Sequence, residues 1–256
     1  MTVALAHRVD GPLDAPVVLL GPSLGTTWEM WDDLAAALAP AYRVVRYDTR
    51  GHGRSPSPRG PYTVDGLAAD VLALVDSLGV DRFAFVGLSL GGAIAQTLAA
   101  AHGDRLSAAV LCCTVPVFGS PDAWHERAAL VRSSGMGALA EATRGRWFTD
   151  GFRATQPDRV ERLIAMLTGT DPEGYAACCE ALAGFDMTAR LPGITVPVRV
   201  VAGAGDGVAP PHSCETMAAS IPGADLVVLD DASHLASAEQ PSAFHSAVLE
   251  HLERHP

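Results

Sequence analysis

The chain has 256 residues, 48% hydrophobic and 18% charged, which excludes disordered and fibrous classes and suits one α/β domain, or one domain with an insertion. With 29 acidic against 18 basic residues the net charge is −11, and no arginine-rich run gathers positive charge, so nucleic acid is not an expected partner. Every basic residue is arginine, and a chain without lysine cannot run Schiff-base chemistry through one.

The opening MTVALAHRVDG has no basic stretch followed by an apolar core, and no run of about eighteen apolar residues occurs anywhere. Neither export nor membrane spanning is therefore predicted, and the expected compartment is the cytoplasm. Two short apolar runs, PVVLLG (16–21) and YRVVRYD (42–48), flank WEMWDDLAAALA (28–39), whose apolar residues recur at helical spacing, giving strand, helix, strand. VDGLAADVLALVDSLG (64–79) reads as a helix, RFAFVG (82–87) as a strand, GGAIAQTLAAAHG (91–103) as a helix and LSAAVLCC (106–113) as a strand. Strands alternating with helices of about ten or more residues imply right-handed crossovers and a mainly parallel sheet flanked by helices.

From about Pro116 to about Leu191 the alternation stops and helical patterns prevail, clearest over 122–148 and 159–169. The segment 116–191 is predicted to be a helical lid inserted into an α/β core made of 1–115 and 192–256. The α/β pattern resumes with VPVRVVAG (196–203), a helix near 211–220, the strand ADLVVLD (224–230) and a closing helix from Pro241 to Leu252. The five cysteines are odd in number and neither doublet has C-x-x-C spacing, so free thiols are expected. Cys214 stands two residues after His212 without further ligands nearby, so no metal is expected, and nothing in the sequence calls for a cofactor.

The stretch VGLSLGG (86–92) sets Ser89 between glycines, directly after an apolar strand and before an alanine-rich helix. Strand, Gly-x-Ser-x-Gly, helix is the context of a nucleophile elbow, where a tight turn lifts the serine over a helix N-terminus. A serine hydroxyl needs a positioned base, and the base needs an orienting acid. Asp206 in GAGDGVAPP and His234 in DASHL each follow a predicted strand, in the chain order Ser, Asp, His. His52, in RGHGRS before the elbow, is a weaker candidate for the base. Backbone N–H groups of Leu90, just after the serine, and Leu24, in the loop after PVVLLG, would form the oxyanion site.

With DTRGHGRS, VGLSLGG, GAGD and SHL in this order, the chain resembles the α/β-hydrolase superfamily over nearly its full length. Within it, SLGTTWEMW, RWFTDGF (146–152) and EGYAACCEAL (173–182) resemble the 3-oxoadipate enol-lactonases of aromatic catabolism (the β-ketoadipate pathway). Pro22-Ser23 stands where many members have His-Gly, which fits that subgroup better than a general esterase and brings Ser23 toward the substrate. Serine at 89 counts against dehalogenases and epoxide hydrolases, which use aspartate. Some members of the group carry a fused decarboxylase domain, and the chain reaching only Pro256 leads us to expect none.

The resemblance implies a small anionic lactone as substrate, opened through an acyl-enzyme. An anionic substrate meeting a net negative protein calls for a local arginine, with Arg132, Arg144, Arg146 and Arg153 as candidates against a solvated helix face for each. Trp124 and Trp147 are candidate pocket walls, or simply core. Two other readings stay open: a carboxylesterase or C–C bond hydrolase of the same fold, and a non-catalytic receptor that keeps the pocket for a small signal.

Overall fold

In the computed structural model, which describes residues 2–255, the apolar runs pair into one sheet whose strands are β1 (His7–Asp10), β2 (Val17–Gly21), β3 (Arg43–Tyr47), β4 (Phe83–Leu88), β5 (Leu106–Cys112), β6 (Val198–Gly203) and β7 (Asp225–Leu229). Their order is β1-β3-β2-β4-β5-β6-β7, and every pairing is parallel except β1 with β3. All six residues of β4 and of β6 are buried, as expected of parallel strands covered on both faces. The sequence reading gave no strand at β1. It is a half-exposed edge strand of four residues with Arg8 and Asp10 on it, so it lacks both the apolar run and the alternation that mark a strand.

The crossovers are helical: α1 (Asp32–Leu38), α2 (Val64–Ser77) and α3 (Leu90–Ala101). Between β5 and β6 lie α4 (Pro121–Ser134), α5 (Ala140–Trp147), α6 (Asp150–Thr155), α7 (Pro157–Thr168) and α8 (Pro172–Ala183); α9 (Pro211–Ser220), α10 (Ala236–Glu239) and α11 (Pro241–Arg254) follow. Ser120 caps α4 and Asp171 caps α8, each accepting from an N–H three residues on and each followed by proline in the first turn, which already has the φ a helix needs. α1 packs on α11, the ring of Trp31 just before α1 stands 6.0 Å from that of Phe244 on α11, and α2 packs on α3.

The predicted helical run 122–148 is in fact two helices, parted at Gly135, whose φ of +73° ends α4. The sequence reading singled out EGYAACCEAL as a motif but not as a helix. As α8 it lies along α4 and is buried almost all round, which erases the one-sided periodicity by which helices are read. The five cysteines are free and buried. Among the described residues, no helix is long and apolar enough to cross a membrane.

Because β2, β4, β6 and β7 run parallel in register, with Gly21 beside Gly87 and Gly203 beside Leu229, their following loops emerge along one edge of the sheet.

Candidate active site

The turn from β4 into α3 places Ser89 at φ 56°, ψ −111°, a backbone state that costs an L-residue about 1–3 kcal/mol and needs support from its surroundings. The support comes from the last residue of β5 and from the residues after it. The Ser89 N–H donates to the Cys112 carbonyl at 2.9 Å, and the Thr114 hydroxyl donates to the Ser89 carbonyl at 3.0 Å. Gln96 in turn donates to the Thr114 oxygen at 3.3 Å. The glycines around the serine are steric necessities. A Cβ on Gly87 would lie 2.2 Å from the Gly91 carbonyl oxygen, and one on Gly91 would lie 2.2 Å from that of Gly21.

Asp206 lies in the loop after β6 and His234 in the loop after β7. The His234 Nδ1 is 2.9 Å from Asp206 Oδ2, while Asp206 Oδ1 accepts the Val208 and Ala209 N–H groups at 2.7 and 3.0 Å. Burial alone would raise the pKa of this carboxyl. The imidazole and the two N–H donors more than offset that and hold it below the usual carboxylate range. An anionic Asp206 on Nδ1 keeps the proton there and leaves Nε2 as the basic nitrogen. Ser89 and His234 line one cavity of about 720 Å³, together with Ser23 and Leu24. Leu90, whose N–H begins α3, is buried beside it.

A family model described as the alpha/beta hydrolase fold matches residues 16–241. The chain belongs to the α/β-hydrolase fold family. This α/β-hydrolase is 41% identical over 246 residues to 3-oxoadipate enol-lactonase 2 of Acinetobacter baylyi, covering 96% of this chain and 92% of that protein. Among solved structures, the enol-lactonase from Burkholderia xenovorans is similar with a TM-score of 0.95 and 43% identity, over 97% of this chain and 96% of that one. A thermophilic esterase from Thermogutta terrifontis, solved with malate bound, has a TM-score of 0.92 and 33% identity, over 98% of this chain and 94% of that one. With relatives of this kind over nearly its whole length, the chain is an enzyme.

The rest of the hydrolase's cavity comes from the helical segment between β5 and β6. Of the residues weighed in the sequence, Trp124, Trp147 and Arg146 line it. Arg132 and Arg144 do not. Arg132 is clasped by Glu173 and Glu180 on α8, and Arg144 by Glu161 and Glu141, so their charges are engaged at the surface. Arg153 pairs with Asp150 in the same way. The arginine the sequence reading missed is Arg127, which lines the cavity, donates to the Tyr175 hydroxyl at 2.8 Å and lies 5.9 Å from the centre of the Trp124 ring. Burial and the Arg127 charge lower the pKa of Arg146, so the two cations are near enough to feel one another. Among the described residues neither has a carboxylate partner, although Glu126 also lines the cavity.

A second missed residue is Glu239. Its buried carboxylate accepts the Thr149 N–H at 2.8 Å, the Thr149 hydroxyl at 2.7 Å and the Ser233 N–H. Leu235 N–H donates to the Trp147 carbonyl at 3.0 Å, and the Ser233 hydroxyl to that of Arg146 at 3.2 Å. Both neighbours of His234 are thus bonded to the strip 146–149. Among the described residues no cluster of three His, Cys, Asp or Glu side chains offers a metal site.

Proposed function

We propose that this enzyme is a serine hydrolase that opens a small lactone bearing a carboxylate, 3-oxoadipate enol-lactone, to 3-oxoadipate. The observation that carries the reading is one cavity holding Ser89 on its strained turn, His234 oriented by Asp206, and two arginines without carboxylate partners. Relatives named enol-lactonase at about this length and identity support the substrate.

In this mechanism Ser89 Oγ attacks the lactone carbonyl carbon as its proton passes to His234 Nε2, and Asp206 stabilises the imidazolium that forms. The tetrahedral oxyanion accepts from the Leu24 and Leu90 N–H groups, each such donor lowering the barrier by about 2.7–4 kcal/mol. Collapse breaks the ring C–O bond. The leaving group is an enolate, a better leaving group than an alkoxide; it takes the proton from His234 and leaves as the enol, which tautomerises to the ketone. Water then attacks the acyl carbon, His234 accepts its proton and returns it to Ser89 Oγ, and the diacid leaves. Arg127 and Arg146 hold the substrate carboxylate throughout, Ser23 borders the reacting end, Trp124 and Trp147 wall the ring, and the helical segment 116–191 serves as the lid. A catabolic enzyme of this kind would work in the cytoplasm.

Hydrolysis of freshly generated enol-lactone by wild type and by Ser89→Ala, compared with neutral aryl esters, tests this reading. Wild type should favour the lactone in kcat/KM, and the variant should lose about 10⁴-fold or more while keeping its fold. Activity confined to aryl esters would instead favour a carboxylesterase, the reading to which the Thermogutta relative lends support. No turnover together with no labelling by a fluorophosphonate would favour a receptor.

A further inference from the structure

The segment DTRGHGRS contributes no side chain to the cavity, yet Asp48, Thr49, His52 and Ser55 are all buried within it. Two of them, Asp48 and His52, bond to the loop that carries Leu24. His52 Nε2 is 2.9 Å from the Gly25 nitrogen and Nδ1 is 3.2 Å from the Arg50 carbonyl. An amide N–H can only donate, so Nε2 must present its lone pair and Nδ1 must carry the hydrogen that goes to Arg50. That is a neutral imidazole in a single tautomer. Burial, the dominant influence, opposes its protonation and takes the pKa down to about 4, against weaker contrary pulls from the Arg50 carbonyl and the Asp171 charge.

The bond to Gly25 fixes one of the two peptides that flank the Leu24 α-carbon. Two bonds fix the other: the Ser23 carbonyl accepts the Thr26 N–H at 3.1 Å and the Thr26 hydroxyl at 2.7 Å, and the Leu24 N–H belongs to that same peptide. Asp48 Oδ1 closes the far end of the loop by accepting the Trp28 N–H at 2.9 Å. Gly25 itself has φ +80°, and a Cβ there would lie 2.5 Å from Leu167 Cδ1, so the loop has no slack toward α7. On its other side the His52 ring stands 6.4 Å from the Tyr175 ring of α8.

We infer that His52 is a positioning residue for the oxyanion site: by accepting the Gly25 N–H it holds the Leu24 N–H in the direction where negative charge develops. The inference rests on the assignment of Leu24 as an oxyanion donor. It assigns work to a histidine that touches no substrate, and it explains why the segment is polar and buried at once.

The test compares wild type with His52→Leu, which removes the acceptor, and His52→Gln, whose carboxamide oxygen reaches about as far as Nε2. Each is assayed on 4-nitrophenyl acetate for kcat and KM, and for inhibition by phenylboronic acid, which forms a tetrahedral adduct on Ser89, and by adipate, a ground-state carboxylate. His52→Leu should lose on the order of 10–100-fold in kcat and in boronate affinity, with KM and adipate affinity within about two-fold, and His52→Gln should recover most of it. Equal weakening of boronate and adipate, or no loss in His52→Leu, overturns the inference. Should His52→Leu fail to fold, a folded His52→Gln with a loss as large as that expected for His52→Leu overturns it, as does a ¹⁵N spectrum of wild type showing His52 protonated on Nε2. A wild type with neither turnover nor boronate binding defeats the reading of the site itself, and the inference with it.

Discussion

The sheet edge and the helical segment between β5 and β6 contribute to the same cavity in different ways. At the sheet edge the chemistry is held by backbone: a strained serine, glycines without room for a Cβ, and loops closed by buried acceptors. The geometry there depends on residues that few others could replace. In the helical segment, what reaches the cavity depends on which side of a helix an arginine stands. Of the eight arginines of this segment, all among the described residues, only Arg127 and Arg146 line the cavity. Backbone-held sites are written in local sequence, whereas side-chain-held sites are decided by packing.

The largest effect that would sharpen this contrast is at the sheet edge. Asp206→Asn keeps the hydrogen-bonding shape but not the charge, and should lower kcat by about 10³–10⁴-fold with little change in KM. A loss below ten-fold would mean that His234 is oriented by something else.

A pH series probes the buried acceptors. The folded chain keeps His52 neutral down to about pH 4, whereas unfolded it protonates near 6.5, so between these values the unfolded state binds more protons. Stability should therefore fall as pH drops through that window, His52 contributing on the order of 3 kcal/mol. His251, also lowered to about 4 by burial, adds a similar slope. Urea unfolding from pH 7 to 4 should accordingly show a shallower but still present decline in His52→Gln, and identical slopes would remove His52 from the account.

In the helical segment, Arg127→Met should raise KM for the anionic lactone by about 10–100-fold while leaving kcat/KM for a neutral ester within a few-fold. Arg132→Met serves as the contrast: its charge is engaged with Glu173 and Glu180 at the surface, so both substrates should be unaffected and stability should change by about 1 kcal/mol or less. Equal effects of the two variants would abolish the distinction between cavity and surface arginines.

The smallest predicted loss of activity lies on the seam between the two regions. Glu239→Gln removes the charge that gathers Thr149 and Ser233, and should cost about 1–3 kcal/mol of stability and a several-fold drop in kcat. A kcat unchanged despite the lost stability would show that the His234 loop does not need the strip 146–149.

How much could be read in advance follows the same division. The parallel α/β pattern was legible because buried strands are apolar runs and crossovers are amphipathic. The serine turn was legible because Gly87 and Gly91 stand where the chain passes within van der Waals contact of itself. Arg127 went unnoticed although a signal existed. It follows Trp124 by three residues, so the two share a helix face, whereas Arg132 is five further on and about 140° round the axis. Glu239 had no such signal, because nothing in SAEQP says that a carboxylate before a proline will be buried against a loop ninety residues away.

The five buried cysteines give the molecule a chemical timer. Burial is the first cause raising each thiol, Cys179 and Cys214 to about 12, and only the thiolate reacts with alkylating reagents. The native protein should therefore resist iodoacetamide and keep its activity in it, which mass spectrometry of the treated, folded protein checks. Whatever alkylation occurs counts the moments at which the fold opens, and does so without any engineered label.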